Sequence, residues 1–248
     1  MLAQERYQII LEYLGSEGTA TVARLSELLG ASEATVRRDL SALAKEGRLK
    51  KVFGGAASAP QMGLFEEHVS SRETVMFREK DLIAAYAATM IQDGDFVYID
   101  SGTTTARMIP HLTNRRATYI TNGVAHACRL LREGFTVYLI GGRLRPETEA
   151  VVGTEAIRSL LKYNFTKAFM GTNGITVDEG FSTPDVEEAG VKSAAIERSF
   201  VSFVLADHTK FNRAFPVTFA RVNACCVLTD RLPKGKLNES TIIKEVQA

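Results

Sequence analysis

The residues of this chain best suited to hold an anion are Asp100-Ser101-Gly102-Thr103-Thr104-Thr105. They follow the apolar run Phe96-Val97-Tyr98-Ile99 and open a helical pattern. Gly102 permits a sharp turn, and three successive threonine hydroxyls converge with the unpaired N–H groups of a helix start. Unpaired donors and the positive end of a helix both favour a negative ligand, so the segment reads as a phosphate-binding loop. A well-capped helix start with no ligand would show the same residues. The loop is not of the Walker type, because no G-x-x-x-x-G-K-[ST] occurs.

Four other strand ends carry residues of the same kind: Thr121-Asn122-Gly123, Gly141-Gly142-Arg143, Gly171-Thr172-Asn173-Gly174 and Asp207-His208-Thr209-Lys210. One such end is ordinarily a turn. Five at the same edge of one sheet describe a polar crevice, and open α/β sheets bind ligands at that edge. The candidate ligand-binding residues are therefore Asp100, Ser101, Gly102, Thr103, Thr104, Thr105, Thr121, Asn122, Gly142, Arg143, Asn173 and Lys210. Arg143 and Lys210 would add charge-assisted bonds to a phosphorylated ligand, although either one alone also reads as a surface cation.

A second kind of chemistry sits at residues 19–55, TATVARLSELLGASEATVRRDLSALAKEGRLKKVFGG. Two short helical patterns are separated by Leu29-Gly30-Ala31, and a basic hairpin, Arg48-Leu49-Lys50-Lys51-Val52-Phe53-Gly54-Gly55, follows. A tight glycine turn sets two helices at a steep angle, which lets the second enter a DNA major groove. Between Ala34 and Ala57 there are six basic and two acidic residues, a local charge of +4 in a chain whose net charge is only +1. That local excess suits a phosphate backbone, and it also suits a solvated helix face. Ser32, Thr35, Val36, Arg37, Arg38, Lys50 and Lys51 are the candidate DNA-binding residues: the arginines for bases or phosphates, the hydroxyls for phosphates at the helix start, the lysines for flanking phosphates or the minor groove.

Nothing else in the chain has the spacing of a reactive centre. His68, His111, His126 and His208 are scattered, and neither they nor Cys128, Cys225 and Cys226 show metal-ligand spacing. No metal site, cofactor or catalytic residue is assigned, and no Ser-His-Asp order or nucleophile elbow occurs. The odd cysteine count argues against a disulfide framework, and Cys225-Cys226 in an apolar run reads as buried thiol. No signal core opens the chain and no apolar run approaches a membrane span, so a cytoplasmic protein without membrane contact is expected.

The elements that must position these residues are legible from periodicity. Tyr7, Ile10, Leu11 and Leu14 share a helical face. Thr19 or Thr21 caps the next helix, which buries Val22, Leu25, Leu28 and Leu29. Ser32 caps the third helix, 32–45, with Val36, Leu40 and Leu43 inward, Gly47 at its end and a strand over 50–53. This is a winged helix-turn-helix spanning 3–58, with the helix-turn-helix itself at about 20–39. Residues 59–75, rich in small residues with Pro60, form a linker. A second domain, 76–232, opens with a helix at 77–91 and then alternates strands (96–99, 117–120, 135–140, 166–170, 200–205, 224–228) with helices (103–112, 123–133, 154–162, 187–198). Alternation of this kind specifies an α/β fold with a mostly parallel sheet. Residues 233–248 are a polar tail, helical over a short stretch or frayed.

Together these residues make the chain resemble the DeoR family of bacterial sugar-metabolism repressors over nearly its whole length. The matching residues of the head are Arg6, Ile9-Ile10, Ser32, Thr35-Val36-Arg37-Arg38-Asp39-Leu40, Gly47 and Gly54-Gly55-Ala56. Those of the body are Asp100-Ser101-Gly102-Thr103-Thr104, Thr121-Asn122, Gly141-Gly142, Gly153, Gly171 and Ala206-Asp207-His208-Thr209-Lys210-Phe211. The resemblance implies an operator-binding regulator whose body senses a phosphorylated sugar and is similar in fold to ribose-5-phosphate isomerase. The stretches Gly171–Ile175 and Gly180–Asp185 look most like members that control fructose use, which makes fructose 1-phosphate the first candidate effector.

The isomerase likeness opens a rival reading, a sugar-phosphate isomerase with an accessory head. Such an enzyme needs acidic residues in a D-G-A-D-E loop to move a proton between sugar carbons. The matching stretch here is Met170-Gly171-Thr172-Asn173-Gly174, with methionine and asparagine where carboxylates are needed. A site that keeps the phosphate loop and lacks the base binds without turnover. The expected partners are double-stranded operator DNA, a phosphorylated sugar and further copies of the chain, as a dimer or tetramer. A head that contacts proteins rather than DNA is the third reading.

Overall fold

The computed structural model describes residues 2–58, 61–62, 69–233 and 237–247. The head comprises α1 (Ala3–Glu17), β1 (Thr19–Thr21), α2 (Val22–Leu29), α3 (Glu33–Lys45), β2 (Leu49–Val52) and β3 (Gly55–Ser58). Ile10, Leu14, Leu25, Val36, Leu40 and Leu43 close its core. Gly30 takes the left-handed conformation that ends α2 and swings the chain into α3. Thr21 caps α2 by accepting from the Arg24 N–H. The alternative cap, Thr19, lies instead in β1, which pairs with β3 to make a three-stranded wing of order β1-β3-β2. That third strand was not expected, because three residues are too few to show an alternating pattern.

Beyond the head come β4 (Gln61–Met62) and α4 (Val69–Thr74), within the expected linker, whose residues 59–60 and 63–68 lie outside the described ones. The body continues with α5 (Phe77–Thr89), β5 (Phe96–Ile99), α6 (Thr103–Ala106), β6 (Thr118–Thr121), α7 (Val124–Arg132), β7 (Thr136–Leu139), β8 (Arg143–Arg145), β9 (Ala150–Val152) and α8 (Thr154–Leu160). It then adds β10 (Phe165–Gly171), β11 (Gly174–Thr176), β12 (Gly180–Thr183), α9 (Val186–Glu197), β13 (Ser199–Leu205), β14 (Arg213–Ala214), β15 (Val217–Ala220), β16 (Cys226–Thr229), α10 (Leu237–Ser240) and β17 (Ile243–Glu245).

Seven strands form one parallel sheet of order β17-β16-β13-β10-β5-β6-β7. Both faces are covered, so β5 is apolar throughout. Val97 and Ile99 enter a core with α5 and α7, and Tyr98 enters the core on the other side with α8 and α9. The chain starts the sheet at β5, builds outward through β6 and β7, and then returns to β10 on the other side of β5. This reversal places the topological switch point between β5 and β10.

Two expectations change. The helix predicted over 103–112 is a single α-helical turn, Thr103–Ala106, followed by a 3₁₀ turn, Ile109–His111, with Pro110 in its first positions. Proline lacks the N–H that a continuing α-helix would use. Residues 233–248, expected as a tail, supply α10 and the edge strand β17, with Leu237 of α10 and Val246 just after β17 buried.

Candidate functional site

The head presents a basic face. Ser32 caps α3 by accepting from the Thr35 N–H at 3.3 Å, and the two hydroxyls lie 3.0 Å apart. Arg37 and Arg38 are exposed on α3, with Arg37 paired to Glu33 one turn back at 3.1 Å. Lys50 and Lys51 are exposed on β2, and Lys51 donates to Ser41 of α3 at 3.0 Å, fixing wing against helix. Arg6 of α1 grips Asp39 through two bonds, 2.7 and 3.0 Å, which sets the roll of α3. Val36 is the exception among the expected DNA contacts. It is fully buried in the head core, since the helical period turns it away from Arg37 and Arg38.

In the body, a cavity opens at the carboxyl ends of β5 and β10. Asp100, Ser101, Gly102, Thr103, Thr104, Asn173 and Lys210 of the expected ligand residues line it. Asp100 is buried at its floor. Its Oδ2 accepts the Gly171 N–H at 2.9 Å and an ion pair from Lys192 of α9, which also donates to the Gly171 carbonyl at 3.2 Å. The other carboxylate oxygen, Oδ1, is buried without a hydrogen-bond partner among the described residues. It can accept a ligand hydroxyl.

Five expected residues do not reach the cavity. Thr105 is fully buried and turns its hydroxyl inward to the carbonyls of Asp100 and Gly102. Thr121 accepts the Gly123 N–H, and Asn122 accepts the Ser101 N–H at 2.9 Å, so both shape the loop rather than meet a ligand. Gly142 packs against β9, where a Cβ would come within 2.8 Å of Val151 and of the Val152 carbonyl. Arg143 is exposed and paired with Glu187. For the four residues at or after the ends of β6 and β7 the physical reason is sheet order, since those strands lie outside β5, away from β10; Thr105 follows β5 but faces inward from the helical turn.

Reading strand ends alone missed Arg72, Lys80, Thr148, Glu188 and Lys192, all of which line the cavity. Two of them had a signal. Lys80 lies at helical spacing from Ile83, Ala84 and Ala87, and Lys192 from Glu188 and Ala195, each on a face that must be buried. A lysine on such a face needs a partner or an anion. Lys80 donates to the Arg72 carbonyl at 2.6 Å and to the Thr103 hydroxyl at 3.1 Å. Burial, then Lys210, Arg72 and Arg107, push its pKa down to about 8, against an opposing pull from Asp207. Four cations, Arg72, Lys80, Lys192 and Lys210, thus face two carboxylates, Asp100 and Glu188. Glu188 accepts from the Thr148 hydroxyl and lies 3.6 Å from Arg145.

Behind the loop, His126 is buried and burial lowers its pKa to about 4, so the ring is neutral. Its Nε2 lies 3.1 Å from the Gly102 carbonyl, which can only accept, so Nε2 carries the proton. A second cavity shares Ser101, Gly102, Thr103 and Thr148 with the first and is bounded by His126, Arg129, Val69 and Glu73. No group of metal-binding side chains is found among the described residues, and no helix among them is long and apolar enough to cross a membrane.

Comparison with known proteins matches residues 6–62 to the DeoR-like helix-turn-helix domain and residues 76–231 to the DeoR C terminal sensor domain. The chain is 36% identical over 251 residues to a Bacillus subtilis (strain 168) protein named uncharacterized HTH-type transcriptional regulator FruR, covering 100% of both. It is 34% identical to the lactose phosphotransferase system repressor of Staphylococcus aureus (strain NCTC 8325 / PS 47), over 90% of each. Among solved structures, ribose 5-phosphate isomerase A of Methanocaldococcus jannaschii overlaps 53% of each chain at a TM-score of 0.40 and 16% identity.

Proposed function

The chain belongs to the DeoR family of helix-turn-helix regulators, and from that premise we propose that it represses a sugar-utilisation operon under the control of a phosphorylated sugar. The observation that carries this reading is the convergence of Arg72, Lys80 and Lys210 with the Thr103 hydroxyl around one cavity at the switch point of the sheet. Cations gathered on one cavity wall favour an anion, and a phosphate dianion supplies the charge and the acceptors. The sugar hydroxyls would meet Asp100 Oδ1 and Asn173 deeper in the cavity. Fructose 1-phosphate is the first candidate, from the likeness of the 171–175 and 180–185 stretches to family members that control fructose use.

Binding without turnover is the consistent chemistry. Both carboxylates of the cavity are engaged, Asp100 by Lys192 and the Gly171 N–H, Glu188 by Thr148 and Arg145. A proton-abstracting base needs a carboxylate poised over a sugar carbon rather than committed to cations. The relatives named above are regulators by name, not isomerases.

On DNA, α3 enters the major groove with Arg37 and Arg38 toward base edges or phosphates, and Ser32, Thr35, Lys50 and Lys51 hold the backbone. One head covers little surface, so two or more copies act together on repeated half-sites, with the body as the unit of assembly. A titration decides the matter: operator affinity is measured by anisotropy while phosphorylated sugars are added, with isomerase turnover followed by NMR in parallel. A shift in operator affinity without turnover is expected. Turnover of a pentose phosphate, or indifference to every sugar phosphate, refutes the reading.

A further inference from the structure

The segment between head and body does more than span a distance. Helix α4 lies against the loop that opens at Ser101, and its Arg72 lines the anion cavity beside Lys80, Thr103 and Lys210. Hydrogen bonds hold it there. Lys80 bridges the Arg72 carbonyl and the Thr103 hydroxyl, Arg107 donates to the Glu73 carbonyl at 3.0 Å, and the Val69 N–H donates to the Glu147 carbonyl at 3.2 Å. Val69 and Glu73 also wall the second cavity. Nearer the head, β4 pairs with β14, which lies three residues beyond Lys210. The connector therefore touches the cavity directly through Arg72.

Resting on the sugar-phosphate reading of this cavity, we propose that Arg72 is an effector ligand supplied by the connector, and that a bound phosphate clasps the connector to the body and so sets the position of the head. The physical case is differential contact. Lys80, Thr103 and Lys210 belong to the body and meet the anion whatever the connector does. Arg72 meets it only while α4 is docked. A ligand shifts an equilibrium only by its difference in affinity for the two states, and Arg72 is the group that creates the difference. Without the anion, Lys80 is repelled by both Lys210 and Arg72. With it, the guanidinium forms a charge-assisted bond that ties α4 down.

The test uses the full chain and an operator duplex selected by the wild-type protein from random sequence. Affinities for fructose 1-phosphate, glucose 6-phosphate and inorganic phosphate are measured by calorimetry, and operator affinity by anisotropy with and without saturating ligand. In the wild type a saturating sugar phosphate weakens operator binding by about fivefold or more. R72A binds the ligand about tenfold more weakly or worse, and at saturation its operator affinity moves by less than about twofold, within the noise of uncoupled sites. K210A also loses ligand affinity, yet at saturation shows the full wild-type shift in operator affinity. R72K, which keeps the charge, retains part of the coupling, and thermal melting checks that each variant is folded. R72Q replaces R72A if the alanine variant does not fold. An R72A or R72Q protein that keeps the full shift at saturation overturns the clasp and leaves the sugar-phosphate reading intact. Wild-type protein that binds none of the sugar phosphates overturns both.

Discussion

Lys192 on α9 reaches Asp100 at the end of β5, ninety-two positions earlier, and the two form a buried ion pair at the floor of the cavity. The same carboxylate oxygen accepts the Gly171 N–H, so one contact joins β5, β10 and α9. Removing one partner of a buried pair leaves a charge in a poor dielectric and costs about 3–5 kcal/mol. K192M is expected to lose stability on that scale in urea denaturation. The double variant D100N/K192M is expected to lose less than K192M alone, because no unpaired charge remains. A double variant weaker than K192M would show that the pair is not the source of the cost.

How much of this site the residues themselves announce depends on whether the chemistry is local. Asp100 to Thr104 and Ser32 to Arg38 are readable because each set is contiguous and its element follows from a period of two or 3.6 residues. Arg72, Lys80 and Lys192 come from three helices scattered over more than a hundred positions, and only the sheet order brings them together. The same order explains the misplaced residues. Thr121, Asn122 and Arg143 follow strands just as Asp100 does, but β6 and β7 sit on the wrong side of β5. Val36 is expected both to face inward with Leu40 and Leu43 and to contact DNA; its burial agrees with the first expectation and excludes the second.

On DNA, exposure separates two roles. Arg38 is exposed on α3 and Lys50 on β2. If Arg38 reads a base edge, R38A costs about 1–3 kcal/mol of operator binding and relaxes preference at one position. If Lys50 meets a phosphate, K50A weakens all sequences alike and lowers the salt slope by about one. V36A lowers the melting temperature and leaves the salt slope unchanged, since Val36 lies in the core. Anisotropy titrations across a salt series distinguish the three. A K50A slope equal to that of the wild type would remove the wing from the interface.

Ligand binding should carry the mark of Lys80. Burial and the neighbouring cations lower its pKa from 10.5 to about 8, so the empty site begins to lose this charge at mildly alkaline pH. A bound phosphate favours the charged form and raises the value again. Affinity for a sugar phosphate is then flat near neutrality, falls as pH rises through 8, and is accompanied by proton uptake in that range. K80R, which keeps its charge, removes the fall. The contribution to folding has the opposite sense. The fold prefers the neutral amine, so stability attributable to Lys80 rises between pH 8 and 10.5. Calorimetry in buffers of differing ionisation enthalpy measures the uptake, and its absence near pH 8 would exclude Lys80 from the site.

His126 predicts the behaviour of the fold on the acidic side. Its ring is buried behind the anion loop, donates to the Gly102 carbonyl and stays neutral, because burial lowers its pKa from 6.5 to about 4. In the unfolded chain the ring is protonated below about pH 6.5. Its contribution to stability is therefore complete above 6.5 and is lost progressively as pH falls toward 4, where the folded ring also takes a proton. At about 1.4 kcal/mol per pH unit the full loss is about 3 kcal/mol. Carboxylates titrate in the same range, so the measurement is a difference. Urea denaturation of the wild type and of H126N is compared between pH 7 and 4.5. Asparagine cannot take up the proton, so the wild type should lose more stability on acidification than the variant. Equal losses in the two proteins would mean that the imidazole is hydrated in the fold, and that the loop from Asp100 to Thr105 is not braced from behind by a neutral ring.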